Sequence, residues 1–191
     1  MKASDNRQRL LEVALDRFAS RGYDATGVQD LVDAAGVTKP TLYHYFGSKL
    51  GLLQALIQHH GERFLADLRM AAAYEGDLPL TLQRIVRTYL SFARRQPEFY
   101  RLHMMLYFLP PHHEAREATA AFFEEQQTLL EGMFVAAVPG HGNLKGKHQR
   151  LASSLLGQIN SYAVLLIDGA LADSEALPHE VAKQFSYGIY A

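Results

Sequence analysis

Five side chains that can donate or accept hydrogen bonds fall close together in the sequence: Thr38, Lys39, Thr41, Tyr43 and His44. Placed on one short helix, they form a compact face suited to the major groove of DNA, which admits a single α-helix and presents base edges to such groups. Other sets invite different chemistry. The pairs His59-His60 and His112-His113 suggest a metal, but neighbours on a helix diverge by about 100°, so neither pair chelates alone. Glu124, Glu125 and Glu131 offer carboxylates near Phe122 and Phe134, yet they read as the solvated face of a helix, with no nucleophile–base pair beside them. There is no cysteine, which excludes disulfides, thiolate metal sites and cysteine nucleophiles. No residue pattern calls for a metal or a cofactor.

The elements that must position the donor face are helical. Apolar residues recur at helical spacing almost throughout, and no alternating strand pattern stands out. A first helix is expected from about Asp5 to Ser20, with Leu10, Leu11, Ala14, Leu15 and Phe18 as its buried stripe and Gly22 as its stop. Thr26-Gly27-Val28-Gln29 has the form of a capping box, predicting that Thr26 caps a second helix running to Ala35. Gly36 breaks it, and Thr38 caps a third helix over Lys39–Phe46, with Pro40 in the first turn. Two short helices joined by a glycine turn make a helix-turn-helix. Because short helices are marginal alone, Leu31, Ala34, Ala35, Val37, Leu42 and Phe46 must pack them onto the first helix. By spacing alone, Tyr43, Tyr45 and Phe46 remain open between core and surface.

The stretch from Ala14 to Ile57, and above all AGVTKPTLYHYFGSK, resembles the DNA-binding head of the TetR/AcrR family of transcriptional regulators. The similarity covers roughly residues 7–60. It implies that Thr38, Lys39, Thr41, Tyr43 and His44 lie on the recognition helix, with Tyr43 on phosphate or a thymine methyl. It further implies that Thr26 and Lys49 anchor the DNA backbone, which fits the preference of anions for helix N-termini and lysines. Two positions depart from the family's pattern: Gly27 stands where a hydroxyl residue is usual, and Leu50 where an acidic residue commonly follows the lysine.

The spacing reads as an all-α protein of about nine helices, and the resemblance implies that they form a three-helix DNA-binding head at residues 1–48 and a ligand-binding and dimerisation body at 49–191. A fourth helix from Ser48 to about Ala73 reads as the connector, and the body follows as Leu78–Gln96, Glu98–Leu109, His113–Val138, Leu144–Leu171 and Pro178 onward. Bodies of this family hold an inducer among their middle helices. Those helices are rich here in aromatics, methionine and histidine, and Phe99, His103, Met104, Tyr107, Phe122 and Tyr162 are the candidate ligand-binding residues. The Leu144–Leu171 segment has two apolar stripes, Leu151, Leu155, Ile159, Tyr162, Leu166 and Ala152, Leu156, Ala163, Ile167, Ala170. With Val181, Phe185, Ile189 and Tyr190 of the last helix, they suit a homodimer formed through the last two helices.

Bulk charge contributes little: the formal net charge is −1, so DNA contact must come from the local arrangement of donors. The polar N-terminus lacks a signal peptide, and the longest apolar run, residues 163–167, is far too short to span a bilayer, so a cytoplasmic protein without membrane contact is expected. The partners expected are operator DNA, a small-molecule inducer and a second copy of the chain. Repression is the family's default action, and release of a palindromic operator by an apolar or aromatic inducer is expected here. An all-helical enzyme or binding protein without DNA contact is the alternative, and sequence does not separate repression from activation.

Overall fold

Helix ends follow local backbone chemistry. In the computed structural model, which describes residues 3–188, those residues form nine α-helices and no strand. They are α1 (Ala3–Arg21), α2 (Val28–Ala35), α3 (Lys39–Phe46), α4 (Lys49–Ala71), α5 (Leu78–Arg95), α6 (Pro97–Tyr107), α7 (Glu114–Ala137), α8 (His148–Ile167) and α9 (Leu177–Tyr187). Gly36 ends α2 in the left-handed region at φ 62°, a conformation that favours glycine, and its amide donates to the Asp33 carbonyl. Asp77 caps α5, its carboxylate accepting from the Leu80 amide at 2.9 Å. The expected helix over Leu144–Leu171 is shorter at both ends. A 3-10 turn occupies Gly142–Leu144, and the positive φ of Gly146 and Gly169 brackets α8. Ile189 and Tyr190 lie outside the described residues.

The chain divides into two compact units. The first combines the residues up to Glu62 with Glu98–Phe122, so α6 and the start of α7 group with the three N-terminal helices. Its core holds Leu10, Leu11, Ala14 and Phe18 from α1, Leu31 and Ala35 from α2, Leu42 from α3, and Leu52, Leu53 and Leu56 from α4, all without solvent exposure. Burying one such leucine contributes about 1.5–3 kcal/mol, which explains how two eight-residue helices hold their place on α1. Of the residues expected to pack α2 and α3, Ala34, Val37 and Phe46 are only half-buried, while Val32 is buried in addition.

The second unit combines Arg63–Pro97 with the chain from Phe123 onward. Here α5 packs against α8 and α9, with Ile85, Val86, Leu155, Ile159 and Val181 fully buried. Phe64 stacks on Phe92 with centroids 4.4 Å apart and meets Tyr89 edge-on at 4.9 Å. The Tyr89 hydroxyl donates to Gln126 Oε1 at 3.0 Å, satisfying both buried groups. Both α4 and α7 run from one unit into the other, and α4, with 23 residues, is about 34 Å long.

Candidate nucleic-acid interface and ligand cluster

The donor face forms because α3 buries one residue and exposes its neighbours. Leu42 is the buried residue of this helix. Thr38, Lys39, Tyr43 and His44 are exposed and Thr41 is half-buried, so the five candidates share the outer surface of α3. Tyr43 is 48% exposed, which places its phenol on the solvent side instead of in the core. Thr38 occupies the N-cap position, but its hydroxyl pairs with the Thr41 hydroxyl at 3.0 Å and caps no amide. Tyr45 and Phe46 are half-buried, and the Arg7 guanidinium lies 5.5 Å from the Phe46 ring.

Thr26 does not cap α2. The cap is Gly27, whose amide donates to the Asp30 carboxylate at 3.1 Å, one residue later than the Thr26–Gln29 box would place it. Thr26 is buried, and its hydroxyl donates to the carbonyl of Gly22 at 2.8 Å, tying the loop to the end of α1. Gln29 instead donates to Asp33 at 2.7 Å. Lys49, in the first turn of α4, points at the same loop. Its ammonium donates to the carbonyls of Tyr23 at 3.0 Å and Thr26 at 3.1 Å, and lies 4.0 Å from the centroid of the Tyr23 ring. Two of its three protons therefore hold protein backbone, leaving one for any other acceptor.

Of the six candidate ligand-binding residues, three come together. Phe99, His103 and Phe122 are all buried, with ring centroids 5.4 Å apart for His103–Phe122 and 6.1 Å for Phe99–Phe122. His60 joins them from α4, 5.1 Å from Phe99. Burial pushes the His103 imidazole down from its usual 6.5 to about 4, so near pH 7 it is neutral, with one nitrogen a donor and the other an acceptor. Met104 is half-buried, and Tyr107 is exposed at the end of α6. Tyr162 belongs to the other unit, where its hydroxyl hydrogen-bonds Gln184 of α9.

Two glycines that sequence reasoning passed over shape this unit. A Cβ on Gly61 of α4 would lie 2.6 Å from Cε2 of Phe122, so the glycine admits that ring against the helix. A Cβ on Gly51 would lie 2.0 Å from the Phe46 carbonyl oxygen, so glycine also permits the tight corner between α3 and α4. A glycine within a helical pattern is the available signal for such close approach. Tyr23, Asp24, His113 and Glu114 carry no comparable signal, because their partners lie far away along the chain.

Comparison with known proteins agrees with this geometry. Residues 10–56 match the family profile of bacterial regulatory proteins, tetR family. The transcriptional activator FasR of Mycolicibacterium smegmatis is 36% identical over 98 residues, covering 51% of this chain and 45% of that protein. The transcriptional repressor KstR2 of Rhodococcus jostii is 35% identical over 85 residues, covering 44% and 42%. The chain thus spans less than half the length of these curated relatives in the matched stretch. Over nearly the whole chain, the fold is that of the transcriptional regulator FadR from Bacillus subtilis, solved in complex with stearoyl-CoA. That match has a TM-score of 0.78 and 18% identity, and covers 95% of this chain and 98% of the other. Both curated relatives are regulators of transcription by name. The head at residues 10–56 is thus similar to that of the tetR family of bacterial regulatory proteins, and the chain as a whole shares the all-helical fold of a solved transcriptional regulator.

Proposed function

We propose that this regulator represses transcription by occupying a near-palindromic operator as a symmetric dimer, and releases it when an apolar small molecule binds. The observation that carries the reading is the outer face of α3, where Thr38, Lys39, Thr41, Tyr43 and His44 stand over a single buried leucine. Phosphate contacts set affinity and base-edge contacts set sequence, so Lys39 and Tyr43 serve the first role and Thr41 and His44 the second. Thr26 and Lys49 support the head by holding the loop before α2, and the remaining proton of Lys49 serves a phosphate.

The ligand occupies the region of Phe99, His103 and Phe122, with Met104 and Tyr107 of the same helix as His103 in supporting roles. A long-chain acyl group is the class best supported, from the apolar lining and from stearoyl-CoA in the B. subtilis protein of the same fold. A ligand pressing Phe122 onto Gly61 displaces α4, which starts three residues after α3 ends and so changes the pose of the recognition helix. Linkage requires operator and ligand to weaken one another by the same factor, typically about 5–150-fold. Dimerisation uses α8 and α9, where Val164 and Leu165 are exposed in the apolar run that ends α8. No described helix is long and apolar enough to cross a membrane, consistent with a cytoplasmic protein acting on the chromosome.

The test is to select a duplex from a random library with the purified protein and titrate stearoyl-CoA into the complex. Progressive release of the duplex supports the reading. Binding of stearoyl-CoA with no change in duplex affinity contradicts it. The curated name of FasR favours activation as a second reading. Transcription in vitro from a promoter carrying the selected site decides it: repression lowers the transcript on adding protein, and activation raises it.

A further inference from the structure

The unit that holds the helix-turn-helix also holds α6 and the start of α7, and polar contacts join the two at the loop between α1 and α2. The Tyr23 hydroxyl donates to Glu114 Oε1 at 2.9 Å. Burial and that carboxylate both push the Tyr23 phenol up, so it stays protonated and remains a donor. One residue along, Asp24 bonds His113, with Nε2 lying 2.9 Å from Oδ2 and 3.1 Å from Oδ1. The tautomer follows from the other side of the ring. His113 Nδ1 accepts from the Ala115 amide at 3.2 Å, which requires it to carry no proton, so Nε2–H is the donor to Asp24. His113 thus caps α7 and grips the head with the same ring. Lys49 holds the far side of the loop through the Tyr23 and Thr26 carbonyls.

We infer that His113 and Glu114 are positioning residues for the DNA-binding head, holding the α1–α2 loop, and with it the start of α2, in the pose that DNA binding needs. They touch no DNA. Their leverage comes from placement: α2 begins two residues beyond Thr26, and its partner α3 carries the donor face. The corner they occupy joins the two helices that carry Phe99, His103 and Phe122. Displacement of that cluster therefore reaches the head by a route separate from α4. The inference rests on the DNA-binding reading above and adds residues to it.

The test exchanges the two members of one contact in the full-length protein. Aspartate is a preferred N-cap residue, so His113→Asp keeps an acceptor for the Ala115 amide while facing Asp24 with a like charge. Duplex selected by the wild-type protein is the probe, with affinity read by fluorescence anisotropy and folding checked by thermal melting. His113→Asp and Asp24→His should each weaken binding about tenfold, the scale of one charge-assisted hydrogen bond. The double variant should return to within about threefold of wild type, as a restored pair requires. A role confined to the stability of α7 would leave duplex affinity unmoved in variants that melt like wild type, and that result overturns the inference. Single losses that the exchange does not repair overturn it as well. If the wild-type protein selects no duplex, the DNA-binding reading itself fails and takes this inference with it.

Discussion

Replacing Gly61 by alanine should destabilise the protein even though alanine is the better helix former. Carbon atoms in contact normally sit about 3.5–4.0 Å apart, whereas the new methyl would lie 2.6 Å from Cε2, 3.0 Å from Cδ2 and 3.3 Å from Cζ of Phe122. The ring has little room to retreat, because it is 7% exposed and packed by His103 and Phe99. Overpacking of this kind costs about 1–3 kcal/mol, and the gain in helix propensity offsets about 1 kcal/mol of it. The net loss of about 1 kcal/mol lowers Tm by about 2–4 °C in a chain of this length. Gly132 in α7 is the control, since nothing lies within 4 Å of the Cβ it would acquire. Gly132→Ala should therefore raise Tm. Both changes are read by thermal melting at one protein concentration, with Phe122→Leu added to make room for the new methyl. The Gly61→Ala loss should shrink in that background. Duplex affinity should fall in Gly61→Ala alone, because the methyl displaces α4 as a ligand behind Phe122 would. If Gly61→Ala stabilises as much as Gly132→Ala does, or if its loss simply adds to that of Phe122→Leu, the close contact between α4 and α7 is not what holds the ring there.

Gly51→Ala places a methyl 2.0 Å from the Phe46 carbonyl oxygen, an overlap with backbone that no rotamer relieves. Duplex binding should be lost, and retention of wild-type affinity would show that the α3–α4 corner does not fix the pose of α3. Burial holds the His103 imidazole near 4 while its unfolded value is 6.5, so the unfolded state binds more protons between those values. Stability is unaffected by this group above pH 6.5 and falls as pH drops from 6.5 towards 4, by about 1.4 kcal/mol per pH unit at the steepest. Denaturant unfolding at pH 7.5 and pH 5 should show that loss in the wild type and a smaller one in His103→Leu. Equal losses in both proteins would place the imidazole in water.

The architecture was legible because its signals are local. Apolar spacing located all nine described helices, and the run from Ala35 to Lys49 located the exposed face of α3 and the resemblance of the head to the tetR family. What escaped was set by competition or by distance. Thr26–Gln29 and Gly27–Asp30 are overlapping boxes. The second forms because Gly27 takes the extended cap conformation and Asp30 offers a charged acceptor, while Thr26 finds the carbonyls ending α1. The loop-holding role of Lys49 could not be read from spacing, since its acceptors lie 23 and 26 residues away. Composition marked α6 as aromatic without fixing where its buried face ends. Phe99 and His103 continue by helical spacing to Tyr107, but the helix stops there, before Pro110 and Pro111, and Tyr107 stays in solvent.

The central claim is that the outer face of α3 reads DNA, and side-chain removal on that face tests it most directly. Lys39→Ala and Tyr43→Ala combined take away two exposed side chains that no buried contact depends on, so Tm should stay within about 1 °C of wild type, as for surface changes in general. Affinity for the duplex selected by the wild-type protein, measured by anisotropy at fixed salt, should fall at least about a hundredfold, the loss of two phosphate-type contacts. Undiminished affinity in that double variant, folded and melting like wild type, would contradict the account.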